Sequence, residues 1–90
     1  MNVELSSKSA KYLMGLDSTM RTRIVKALLK LSEEPPTGDI KPLKGEMNLF
    51  RLRVGDFRLI FSIESMQNEV SEQINFIYIN KIAPRGEVYK

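Results

Sequence analysis

The feature that most constrains this 90-residue chain is a change of period at residue 50. Phe50, Leu52 and Val54 alternate with Arg51 and Arg53. After Gly55-Asp56, Phe57, Leu59, Phe61 and Ile63 alternate with Arg58, Ile60 and Ser62. A period of two belongs to a strand with one face against a core. Two residues between the runs, glycine first, suit a type II′ hairpin turn. The turn fixes the register: Val54 lies opposite Phe57, Arg53 opposite Arg58 and Arg51 opposite Ile60. One face of the hairpin is then apolar, and the other carries Arg51, Arg53 and Arg58.

The remaining chain has to cover the apolar face. Residues 1–5 alternate weakly and predict a short strand. Ser6 and Ser7 offer N-caps for a helix to about Met14, ended by Gly15. Asp17 or Ser18 caps a second helix, in which Met20, Ile24, Leu28 and Leu31 form one apolar stripe. Arg21, Arg23, Lys26 and Lys30 fall mostly off that stripe, and Pro35-Pro36 stop the helix. Residues 37–46 read as a polar loop and 67–73 as an exposed hairpin loop. Residues 74–82 are apolar on both sides, with Ile74, Phe76 and Tyr78 on one and Ile77 and Ile79 on the other. That pattern predicts a strand buried on both faces and central in the sheet. Residues 83–90 form a tail too short for a further element. The expected fold is a single α+β domain over residues 1–90. In it, an N-terminal strand and a helical hairpin pack on one face of a small, mainly antiparallel twisted sheet.

Composition removes several function classes. The chain is 42% hydrophobic and 28% charged, which favours a folded domain over disorder. It contains no cysteine and no histidine. Disulfides, cysteine-ligated zinc and the commonest neutral-pH general base are therefore absent. Glu33-Glu34 and Glu69 with Glu72 do not converge, so no metal and no other cofactor is expected. Residues 1–10 have no apolar run, and no stretch approaches the ~18 apolar residues of a membrane span, so a cytoplasmic protein without a membrane partner is expected. Met14, Met20 and Met47 read as core filler.

The net charge is +3, and its distribution matters more than its size. Arg53 and Arg58, directly opposed, repel each other. Solvation accounts for a single surface arginine. Three on one face with no acidic neighbour between them call for an anion. Guanidinium forks match phosphate oxygens, and an adjacent aromatic can stack on an unpaired base. Lys81, Arg85, Tyr89 and Lys90 supply further cations and a ring near the C-terminal end, and Lys41 and Lys44 extend the basic region.

The run Lys44-Gly45 followed by residues 49–61, and the ending Lys81-Ile82-Ala83-Pro84-Arg85-Gly86-Glu87-Val88-Tyr89, resemble the RelE/ParE superfamily of toxins from toxin–antitoxin systems. The helical hairpin before Pro35 stands where that family has one. The ending is similar to the RelE branch, whose members are endoribonucleases that cut mRNA in the ribosomal A site. The resemblance implies 2′-OH attack on the adjacent phosphate without a metal, with mRNA, the ribosome and a cognate antitoxin as partners. It implies catalytic roles for Arg53, Arg58, Arg85 and Tyr89. Arg58 and Arg85 would stabilise phosphate charge and Tyr89 would orient a base. Arg51, Lys44, Lys81 and Lys90 would hold RNA. Some relatives have lysine where this chain has Arg51 and Arg53. Arginine does not usefully deprotonate, so the general base is left open: Tyr89 serves only if its pKa falls well below ~10. Two alternatives remain: a ParE-like inhibitor of DNA gyrase, and a non-catalytic binding module. The resemblance also implies an antitoxin whose acidic or amphipathic segment wraps the domain, covering the basic face or displacing tail residues; Tyr12 and Leu13 of the first helix either help to dock it or belong to the core.

Overall fold

In a computed structural model, which describes residues 1–84, the elements follow the order β1 (Asn2–Leu5), α1 (Ser7–Met14), α2 (Ser18–Leu31), β2 (Asp39–Pro42), β3 (Phe50–Val54), β4 (Phe57–Gln67) and β5 (Gln73–Pro84). The five strands form one sheet in the order β1-β5-β4-β3-β2. Only β1 and β5 run parallel. The two helices carry the chain from one edge of the sheet to the other and lie on one face of it. This is the expected two-layer α+β architecture.

Local chemistry sets the helix ends. The Ser6 hydroxyl accepts from the Ser9 amide at 3.1 Å, and the Asp17 carboxylate accepts from the Met20 amide at 2.9 Å. Each satisfies a donor that the first helical turn leaves open. The Arg21 guanidinium donates to the Leu16 carbonyl at 2.7 Å, which ties α2 to the end of α1. Leu13, Ile24 and Leu31 descend from the helices onto Leu52, Leu59, Phe61, Ile77, Ile79 and Ile82 of the sheet. Phe50 and Phe61, cross-strand neighbours, stack with ring centres 5.3 Å apart.

The hairpin register is the one expected: Val54 opposite Phe57, Arg53 opposite Arg58 and Arg51 opposite Ile60. Gly55 has φ +57°, where an L side chain is strained. A Cβ there would also press on the Arg23 guanidinium. Gly55→Ala should therefore cost about 1–2 kcal/mol, measured as a lower urea midpoint with unchanged slope.

Several expectations need correction. Residues 39–42 are not loop but an edge strand paired with β3. The middle strand is β4. β5 does have a neighbour on each side, but its outer face is only partly covered: Phe76 and Tyr78 are half-buried and Ile74 is exposed. β5 continues to Pro84, two residues into the expected tail. Met14 and Met47 are exposed rather than core filler: Met14 is the last residue of α1 and Met47 lies in the turn before β3. Neither Tyr12 nor Leu13 is an exposed apolar group. Leu13 is buried, and Tyr12 meets Phe57 edge-on with ring centres 6.4 Å apart.

One irregularity organises the outer face. Ile60 pairs with Lys81 but Phe61 pairs with Ile79, so Asn80 is an extra residue, a β-bulge. Its side chain donates to the Ser62 hydroxyl and the Tyr78 carbonyl, both at 3.2 Å. The carbonyls of the bulge are used as well. Ile79 accepts from the Ser6 amide at 3.0 Å and from the Ser9 hydroxyl at 3.1 Å. The start of α1 is thereby fastened to the bulge.

Candidate nucleic-acid interface

On the face away from the helices, strand pairing aligns side chains into rungs. One rung is Asp39, Arg53, Arg58 and Ala83; the next is Lys41, Arg51, Ile60 and Lys81. Rungs on one face are about 7 Å apart and strands about 4.8 Å. Five cations and one carboxylate thus share a patch little larger than a dinucleotide.

Their environments differ. Arg53 is exposed. Arg51 donates to the Asp39 carboxylate at 3.3 Å. This corrects the expectation that the arginines lack an acidic neighbour: Asp39 sits in the edge strand that sequence reading missed. Arg58 is only 5% exposed. β3 and β5 flank it, and its guanidinium donates to the Gly55 carbonyl at 3.3 Å and the Phe57 carbonyl at 3.1 Å. Among the described residues no carboxylate pairs with it. A desolvated guanidinium without a counter-ion is costly for the fold and strongly attracts an anion that reaches it. Lys81 lies on the same rung as Arg51. Lys44 is exposed in the turn after β2, off both rungs. Arg85, Tyr89 and Lys90 lie outside the described residues.

Nothing else among the described residues competes with this patch as a centre of chemistry. No group of three or more acidic side chains there could hold a metal ion. No helix among the described residues is long and apolar enough to cross a membrane.

No protein-family model matches the chain, and no curated protein matches it. Solved structures do. The archaeal RelE–RelB complex from Pyrococcus horikoshii OT3 contains a chain 28% identical, with a TM-score of 0.69 and 96% of each chain covered. A toxin–antitoxin complex from Mycobacterium tuberculosis matches at 22% identity and a TM-score of 0.67, over 93% of this chain and 96% of that one. The isolated E. coli RelE toxin matches at 18% identity and 0.68, over 98% and 89%. The likeness spans both layers and nearly the whole length, and the chain has the fold of the RelE toxin superfamily.

Proposed function

We propose that this protein is the toxin of a toxin–antitoxin pair and an endoribonuclease that cleaves mRNA at the ribosomal A site. The observation that carries the reading is Arg58: a guanidinium 5% exposed, without a carboxylate partner among the described residues, between Arg53 and the rung of Arg51 and Lys81. Such a site favours charge that develops on phosphate oxygens. In the reaction the 2′-oxygen attacks phosphorus and the bond to the 5′-oxygen breaks. A cyclic phosphate and a free 5′-hydroxyl result. The proton of the 2′-hydroxyl leaves to a base, and the departing 5′-oxygen takes one up. Arg58 and Arg53 bind the phosphate oxygens, together with Arg85, while Tyr89 stacks on a base. Arg51, Lys81, Lys44 and Lys90 hold the flanking backbone. The arginines cannot take the proton, and the general base is left open: Tyr89 serves only if its pKa falls well below ~10. No metal enters the scheme. The partner antitoxin is inferred from the complexes in which the relatives were solved.

The test is induced expression in a bacterial host with mRNA 5′ ends mapped before and after. New ends inside translated codons, lost with Arg58→Ala or Arg85→Ala, support the reading. Growth arrest with induced DNA damage and intact mRNA would instead indicate gyrase inhibition.

Asp39 makes a separate prediction. It is the single carboxylate on the two rungs and engages Arg51. Asp39→Asn removes a negative charge and frees a guanidinium. Affinity for a short single-stranded RNA should rise roughly two- to fivefold at low salt, the scale of an exposed ion pair. The gain should shrink as salt is added. Fluorescence anisotropy across a salt series measures both.

A further inference from the structure

Beyond the bulge the outer face changes character. Glu4, Tyr78 and Ser62 share the next rung, and Asn2, Phe76 and Glu64 the one after. Together with Leu5, Ser65, Met66 and Asn80 these residues line a hollow of about 660 Å³. Its floor is aromatic, from the half-buried rings of Phe76 and Tyr78. Its two carboxylates stand at opposite corners, Glu4 on β1 beside Tyr78 and Glu64 on β4 beside Phe76. Two strand spacings and one rung separate them, so a group seated on the rings lies between both. Both are exposed, and neither has a cationic partner among the described residues.

We infer that this hollow receives an arginine or lysine side chain carried on an extended segment of a protein partner. Charge complementarity selects that occupant. A cation above the face of an aromatic ring is attracted by the ring's electron density. Two flanking carboxylates add to that attraction, and a guanidinium can donate to both. A phosphate backbone is repelled by the same carboxylates, and the basic rungs on the other side of the bulge offer it a far better seat. The outer face therefore has two halves of opposite chemistry: a basic half for nucleic acid and an anionic, aromatic half for a cationic peptide. The inference rests on the chemistry of the hollow and does not depend on RNA cleavage.

The experiment is an NMR titration of the full chain with three probes. They are the peptide acetyl-Gly-Arg-Gly-Arg-Gly-amide, its counterpart with glutamate in place of arginine, and a short 2′-O-methyl RNA that cannot be cleaved. The arginine peptide should shift resonances of Glu4, Glu64, Phe76 and Tyr78, and the glutamate peptide should not. Glu4→Gln and Glu64→Gln should each weaken arginine-peptide binding about threefold or more, and high salt should weaken it further. Both sites are exposed, so the variants keep the fold, which thermal unfolding checks. Tyr78→Phe retains the ring and should bind within about twofold of the parent. No shift at Phe76 and Tyr78 with the arginine peptide, or equal shifts with the glutamate peptide, overturns the inference. So does tighter binding of the RNA at these two rings, which would make the hollow a nucleobase site.

Discussion

Replacing Arg58 with methionine is expected to lower RNA cleavage by about 10²–10³-fold, the loss typical of removing one donor from a site that stabilises developing charge. The same substitution should leave the melting temperature unchanged or raise it. Methionine keeps most of the stem that packs between β3 and β5. It gives up two hydrogen bonds, to the Gly55 and Phe57 carbonyls. Charged hydrogen bonds of this kind are each worth about 1.5–3 kcal/mol. Against that stands the desolvation of a side chain 5% exposed, a penalty of several kcal/mol per ion that methionine does not incur. The two contributions nearly cancel. Each kcal/mol left over moves the melting point of a domain this size by about 4–8 °C. A residue kept for packing would behave in the opposite way, with stability falling and activity following it. Arg58→Lys sharpens the test, because it keeps the charge and loses the planar fork. It should remain nearly as inactive as the methionine variant. Single-turnover cleavage of an RNA oligonucleotide on ribosomes, paired with thermal unfolding, measures both quantities. Full activity in either variant would overturn the assignment of Arg58.

Deleting Asn80 is expected to leave the protein folded but less stable. Asn80 is the extra residue between the pairs Ile60–Lys81 and Phe61–Ile79, so its removal makes those pairs consecutive and restores regular alternation. Ile77, Ile79 and Ile82 stay beneath the helices, and Tyr78 and Lys81 stay on the outer face. The deletion removes the Asn80 bonds to Ser62 and the Tyr78 carbonyl, and it straightens the bend that brings the Ile79 carbonyl to Ser6 and Ser9. At about 0.5–1.5 kcal/mol for each bond, the cost should be about 2–4 kcal/mol. The deleted protein should keep a cooperative thermal transition by circular dichroism, with a midpoint lowered by about 4–8 °C per kcal/mol. Asn80→Ala is the control. It removes only the bonds to Ser62 and Tyr78 and should cost about 1 kcal/mol. Loss of the cooperative transition in the deletion would show that the bend, and not the alternation, holds the sheet together.

What could be read from the sequence follows from which interactions are local. The register of β3 and β4 was legible because two residues of turn dictate every pair that follows. The caps at Ser6 and Asp17 were legible because they act within one helical turn. β2 was not legible. It has one apolar residue, Ile40, in a four-residue run ending in proline, and it is a strand only because β3 offers it an edge. Missing β2 meant missing Asp39 and its pairing with Arg51. The burial of Arg58 was hidden for a similar reason. Its charge argues for the surface, and its place on β4 between β3 and β5 depends on pairings distant in sequence. The bulge did leave a trace: Ile77, Ile79 and Ile82 are all buried, and the spacing of three after a spacing of two breaks the alternation. The placing of Glu4 and Glu64 at opposite corners of the hollow was unreadable, because it depends on the order β1-β5-β4. The basic residues that line the two rungs were identified in advance, although Lys44 falls outside them.

The strand order also has a consequence for when, during synthesis, the basic face comes into being. β1 stands at an edge of the sheet, and its one neighbour there is β5. α1 is fastened to the same strand through Ser6 and Ser9. The first segments made by the ribosome therefore wait, unpaired, for one made much later. The basic face waits too, since Lys81 and Ala83 complete its two rungs. A nascent chain cut short anywhere before β5 has neither a closed sheet nor an assembled cation cluster. Synthesis itself then acts as a timer: the cation cluster comes into being only after β5 has cleared the exit tunnel, and prematurely terminated products never carry it.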